Sequence, residues 1–222
     1  MRADDVTASV TQAGGLRARK KHRTRELIAD TALELFLERG FDAVTIADVA
    51  RHADVDVKTI YNYFPSKPDL VYHRFEGFGD ALLDAVRRRQ AGESVLAAFG
   101  RFVFASQGLL ADERGSERLR AQIEMILASP TLVAHEEQVY ARFTASLATL
   151  LAEETAARKA DVLPSVVAHA LIGVHRSLVA YVRDGTCAGI PNATLARRVR
   201  AEGKKALAAL EGGLADYGIR TR

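Results

Sequence analysis

Cysteine is almost missing from this chain: the 222 residues contain one, Cys187. A lone thiol excludes an intramolecular disulfide and any CxxC zinc motif, and it suits a reducing compartment. Proline is nearly as scarce. The five prolines, Pro65, Pro68, Pro130, Pro164 and Pro191, all fall between helical patterns or in a first turn, where a missing N–H is harmless. No apolar run approaches the roughly 18 residues that a membrane span needs. The opening MRADDVTASVTQAGG also lacks the apolar segment of a secretory signal, so a cytoplasmic protein without a membrane partner is expected. Excess charge is lacking as well, since a net +3 does not by itself announce a nucleic-acid binder. Catalytic and cofactor signatures are missing too. There is no nucleotide-binding glycine loop, no HExxH and no two-histidine-plus-carboxylate spacing, and His169 and His175 stand six residues apart, off a common helix face. No enzyme activity, metal or cofactor is expected.

What remains is a helix former. Apolar residues make up 48% and charged residues 27% of the chain, a globular balance. Alanine, leucine, arginine and glutamate dominate, with apolar positions recurring at three and four. No strand pattern and no fixed-period repeat is visible. The expected fold is all-α with about nine helices. Three regions are expected: a disordered tail over 1–15, a three-helix helix-turn-helix domain over 16–66, and a helical effector-binding and dimerisation bundle over 67–222.

The first helix is expected from Leu16 to Arg39, with Gly40 as its stop. Six of the residues from Arg17 to Arg25 are basic and none is acidic, which fits either a solvated tail or a phosphate-contacting arm. Thr45 is a predicted N-cap with Asp48 as its capping-box partner and Val44 able to staple onto Val49. Ala53-Asp54-Val55 makes a tight turn, Asp56 caps a second short helix and Pro65 ends it. Two short helices joined in this way form a helix-turn-helix. The second, Val57-Lys58-Thr59-Ile60-Tyr61-Asn62-Tyr63, surrounds a buried pair, Ile60 and Phe64, with hydroxyl, amide and ammonium groups. Such groups can donate to phosphate oxygens and base edges. The pattern Ser66-Lys67-Pro68-Asp69 then opens a long helix.

The stretch TIADVARHADVDVKTIYNYFPSKPDL, Thr45 to Leu70, resembles the DNA-binding signature of the TetR family of bacterial transcriptional regulators. The resemblance covers about Arg17 to Leu70, and beyond it only length and helical pattern agree. Asp54 stands where that family usually has glycine, and Asp56 where it often has serine. The resemblance implies that Thr59, Tyr61, Asn62 and Tyr63 meet DNA in the major groove and that Thr45 and Lys67 anchor phosphates. In the same reading Lys58 is a base-edge or phosphate contact peculiar to this chain, and Arg17 and Lys20 belong to the basic arm. It further implies a repressor that binds a palindromic operator as a homodimer and leaves it when a small molecule binds.

In the last two helical stretches, small residues lie where a second helix could approach closely. Gly173, Ser177 and Ala180 share one face, and Ala196, Val199, Gly203, Ala206 and Leu210 another, so these are the candidate dimer seam. The middle of the chain carries aromatic stripes, with Phe75, Phe78, Phe99, Phe102, Tyr140 and Phe143 read mostly as core. Two polar residues interrupt the apolar pattern, Gln122 and Glu136, and each needs a partner. An ordinary neighbouring hydrogen bond or a partly apolar effector would supply one. Gln122 and the six aromatic residues are the candidate ligand-binding set. Two rival readings are an α-helical enzyme and a protein-interaction module without sequence-specific DNA binding.

Overall fold

The computed structural model describes residues 3–105 and 116–214, with side chains over 19–105 and 117–213. Among the described residues there are nine helices and no strand. They are α1 (Ala3–Arg39), α2 (Ile46–His52), α3 (Val57–Tyr63), α4 (Asp69–Arg87), α5 (Val95–Ala105), α6 (Ser116–Ala128), α7 (Pro130–Glu154), α8 (Leu163–Cys187) and α9 (Asn192–Leu214). α1 starts well before Leu16, so the helix takes in most of the segment expected as a tail. No proline interrupts residues 3–13, and the alanine, valine, serine and threonine there carry only small helix penalties. The helices expected over 94–111 and 193–217 are described as far as Ala105 and Leu214, and the residues beyond lie outside the described ones.

The chain forms two compact units, Met1–His73 and Arg74–Arg222. The division falls within α4, whereas the sequence placed it at Ser66. In the first unit α1 packs on α2 and α2 on α3, around a core that includes Ile28, Phe36, Val49, Ile60 and Phe64. Gly40, at φ +86°, ends α1 in the left-handed region that glycine enters without a side-chain clash.

The second unit is built on the pairing of α7 with α8 and of α8 with α9; α6 leans on α7 and α8, and α5 on α9 and α8. Leu147, Leu151, Leu171 and Leu195 are sealed in its core. Arg89 is buried there too, donating to the Val86 carbonyl and pairing with Glu154. α8 corrects one expectation. An 18-residue window of it has a mean hydropathy of 1.4 with few charges, so by length and composition it could cross a membrane. Its apolar residues Val167, Leu171, Ile172 and Leu178 are instead buried against neighbouring helices.

Candidate functional site

Short-range hydrogen bonds shape the surface of the first unit. At the start of α2 the Thr45 hydroxyl accepts from Asp48 N–H at 3.1 Å and the Asp48 carboxylate accepts from Thr45 N–H at 2.9 Å. This is the reciprocal box expected from the sequence. The Thr45 hydroxyl also donates to that carboxylate, and together these bonds, with Arg51, hold the Asp48 carboxyl down at about 2. α2 ends with Asp54 at φ +53°, while Val55 N–H reaches back to the Ala50 carbonyl at 3.0 Å. This is the left-handed helix exit that glycine most often supplies and that aspartate tolerates. Asp56 then caps α3, accepting from Thr59 N–H at 2.6 Å and from the Thr59 hydroxyl at 3.0 Å. Those two bonds lower the Asp56 pKa, the backbone bond most strongly.

The caps aim α3. Ile60 and Phe64 are fully buried, whereas Lys58 and Asn62 are exposed, Tyr61 is 51% exposed, and Thr59 and Tyr63 are half-buried. Thr45 and Lys20 are exposed as well. Arg17 falls outside the described side chains. Within the basic run, Arg19, Lys20, Lys21 and Arg23 face water. Arg25 turns inward, with its guanidinium 5.3 Å from the centre of the Phe64 ring. Lys67 is half-buried, its ammonium 4.2 Å from the Phe41 ring centre and 5.8 Å from that of Phe36. Burial lowers its pKa, against a smaller opposing pull from Asp42. An open cleft runs beside the start of α3, lined by Ala50, Arg51, Asp54, Val55, Asp56 and Thr59, so two carboxylates flank the surface that α3 presents.

In the second unit the candidate aromatic residues divide. Phe75, Phe78, Phe102, Tyr140 and Phe143 form one cluster, with Phe75 4.9 Å from Tyr140 and 5.1 Å from Phe143, and Phe78 5.1 Å from Phe102. Phe99 is a fully buried core residue. Gln122 is half-buried on α6, and the ring cluster is drawn from α4, α5, α7 and α8. His175, which periodicity gave no reason to single out, stacks on Phe78 at 4.5 Å, and its Nδ1 lies 3.4 Å from the Tyr140 hydroxyl. Burial pushes its pKa down to about 4. Glu136 finds its partner in Arg183, at 2.9 and 2.5 Å, and Glu137 pairs with Arg176. Arg176 also lies over the Tyr140 ring, 4.6 Å from its centre.

The candidate seam is narrower than its spacing suggested. Ser177 and Ala180 are exposed, and Gly173 has open space where a side chain would project. Ala196, Ala206 and Leu210 are half-buried. Val199 and Gly203 face inward within their own unit: a β-carbon at Gly203 would stand 2.8 Å from Phe104 and 3.2 Å from Leu178. The small residue at 203 therefore admits a side chain of its own unit.

A capped helix-turn-helix with a polar, exposed second helix, followed by a separate helical bundle, defines a DNA-binding regulator. Residues 28–75 match the family model for bacterial regulatory proteins of the tetR family, and residues 93–203, half of the chain, match that of the MftR C-terminal domain. The chain belongs to the TetR family of bacterial transcriptional regulators. It is 29% identical over 163 residues to the mycofactocin biosynthesis transcriptional regulator MftR of Mycobacterium tuberculosis, covering 70% of this chain and 78% of that one. It is 36% identical over 92 residues to the transcriptional regulator TcmR of Streptomyces glaucescens, covering 41% of each. Among solved structures, NalD of Pseudomonas aeruginosa, described as a secondary repressor of a multidrug efflux pump, superposes with a TM-score of 0.51 at 20% identity, over 83% of this chain and 96% of that one. A SmeT–triclosan complex superposes with a TM-score of 0.53 at 19% identity, over 86% and 90%.

Proposed function

We propose that this regulator is a cytoplasmic repressor without enzyme activity. In this reading it binds a palindromic operator as a homodimer and releases it when a partly apolar small molecule enters the helical bundle. The observation that carries the DNA-binding half is α3, where Lys58, Tyr61 and Asn62 stand exposed on a helix whose other side, Ile60, is sealed in the core. Lys58, Thr59, Tyr61, Asn62 and Tyr63 meet the major groove, Thr45 and Lys67 hold phosphates, and Arg17 and Lys20 reach neighbouring backbone. Lys67 delivers its charge from a fixed seat over two rings, so the contact loses little side-chain freedom on binding.

The seven residues of α3 can read only a few base pairs, so a second copy related by a two-fold axis is needed for a unique site. Val166, Gly173, Ser177 and Ala180 form an accessible stripe along α8, which suits a self-complementary contact. The effector half of the reading draws on the aromatic cluster of the bundle and on the small-molecule complex of SmeT.

The test is selection of bound duplexes from a random DNA pool, followed by anisotropy titration of the selected sequence. A two-fold symmetric consensus is expected, with an affinity that falls steeply with salt because phosphate contacts release counterions. Tyr61→Ala should weaken binding while leaving the melting temperature unchanged. Recovery of no consensus, or an affinity indifferent to salt, would leave an interaction module as the better account.

A further inference from the structure

Among the described side chains of the first unit, three large apolar ones stand exposed, Leu27, Val57 and Tyr61. Two of the three belong to the short helix α3. Val57 and Tyr61 are four apart, so they are neighbours on one stripe of that helix, at 40% and 51% exposure. Neither the cap nor the core asks for the valine. The N-cap is Asp56, so the pair placed to staple the helix start is Val55, before the cap, and Ile60, four beyond it. Ile60 and Phe64 seal the core side.

The groups around Val57 narrow what it can meet. Thr59 gives both its N–H and its hydroxyl proton to Asp56, so it has no donor left for a base edge. The Asp54 and Asp56 carboxylates at the start of α3 oppose a phosphate there, whereas an uncharged apolar group is indifferent to them. In the major groove the base pairs differ in their donors and acceptors, and the one apolar group they show is the C5-methyl of thymine. A valine side chain has no donor or acceptor, so it can discriminate between base pairs there only by covering that methyl. We infer that Val57 is a specificity-determining residue that packs on a thymine methyl in each half of the operator, beside the Tyr61 ring. This rests on the operator-binding reading above and adds to it a residue and the base it reads.

The test starts from the duplex selected out of a random pool of unmodified bases, with each thymine replaced in turn by uracil, which pairs identically and lacks only the methyl. Anisotropy titration with the full-length chain should find one thymine position per half-site where uracil weakens binding about fourfold, the worth of one buried methyl group. Changing that position in both half-sites should weaken it about fifteenfold. Val57→Ser should bind the thymine and uracil duplexes alike at that position, while Val57→Ile, which keeps the apolar surface, should retain the preference. If Val57→Ser does not fold, Val57→Thr, which exchanges one methyl for a hydroxyl, should lower the thymine-to-uracil ratio about twofold. The inference is overturned if no thymine responds to uracil, or if the responding thymine responds equally in the folded serine or threonine variant. Either result leaves the operator reading standing, because a duplex was selected. Selection of no duplex would sink the operator reading and this inference with it.

Discussion

In the stretch from Thr45 to Asp69 the bonds that shape the exposed surface join residues three apart, Thr45 to Asp48, Asp56 to Thr59 and Ser66 to Asp69. In the bundle, the bonds around the ring cluster join residues 35, 39 and 47 apart, Tyr140 to His175, Glu137 to Arg176 and Glu136 to Arg183. The first unit therefore sets its functional surface by local backbone chemistry, which tolerates change elsewhere. The second sets its cluster by tertiary packing, where a local change is felt across helices. Substitutions in the bundle are accordingly expected to appear mainly in stability, and those around α3 mainly in DNA binding.

The largest expected effect tests the bundle through acid. The folded state holds His175 neutral down to about 4, against 6.5 for the free side chain, so the unfolded chain takes up the proton first. The stability linked to this group is complete above pH 6.5 and is lost as pH falls toward 4, by roughly 3 kcal/mol in all. Urea unfolding at pH 7 and pH 4 should show the parent losing about that much more than His175→Phe. Equal losses would mean the imidazole is not sealed in the cluster.

Two glycines on one helix provide the next contrast. A β-carbon at Gly79 would stand 2.1 Å from the Phe143 ring, whereas one at Gly77 would meet nothing within 4 Å. Gly79→Ala should destabilise by about 1 to 3 kcal/mol through overpacking. Gly77→Ala should stabilise by about 1 kcal/mol through helix propensity. Melting temperatures moving in the same direction would break the comparison.

Around α3 the effects should be smaller in stability and clearer in binding. Asp56→Ala removes the cap and should lower the melting temperature by about 2 to 4 °C. Asp56→Ser keeps a cap and removes a carboxylate, so it should hold the melting temperature within about 1 °C while tightening DNA binding at low salt. A looser complex would mean that the carboxylate itself contacts the operator. The finest test is Lys67→Ala, expected to reduce the salt slope of operator binding by about one unit. An unchanged slope would assign Lys67 to its rings alone.

This contrast also accounts for what could be read from the sequence. The caps at Thr45 and Asp56, the bounds of α2 and the stop at Gly40 were legible because each depends on residues within one turn. The seat of Lys67 was not, because the rings beneath it belong to Phe36 and Phe41, which lie far outside one turn of it along the chain. Gly203 was read as an approach point for a second copy, yet its missing side chain makes room for Phe104 and Leu178 of its own chain. A small residue records that something comes close without recording what. Glu136 was recognised as needing a partner, but Arg183 could be matched to it only once α7 and α8 were placed side by side. His175 gave no signal at all, because its character comes from Phe75, Phe78 and Tyr140 on two other helices.

One torsion in the turn bears on how such a regulator could be controlled. Asp54 sits at φ +53°, in a region of backbone space only some tens of degrees across with steep walls on every side. The angle between α2 and α3 is thus held in a discrete well and cannot drift by small amounts. Bending this joint would mean leaving the well and giving up the bond from Val55 N–H to the Ala50 carbonyl. The two helices are carried as one rigid piece, so a signal that loosens the grip on DNA has to move the reading head whole.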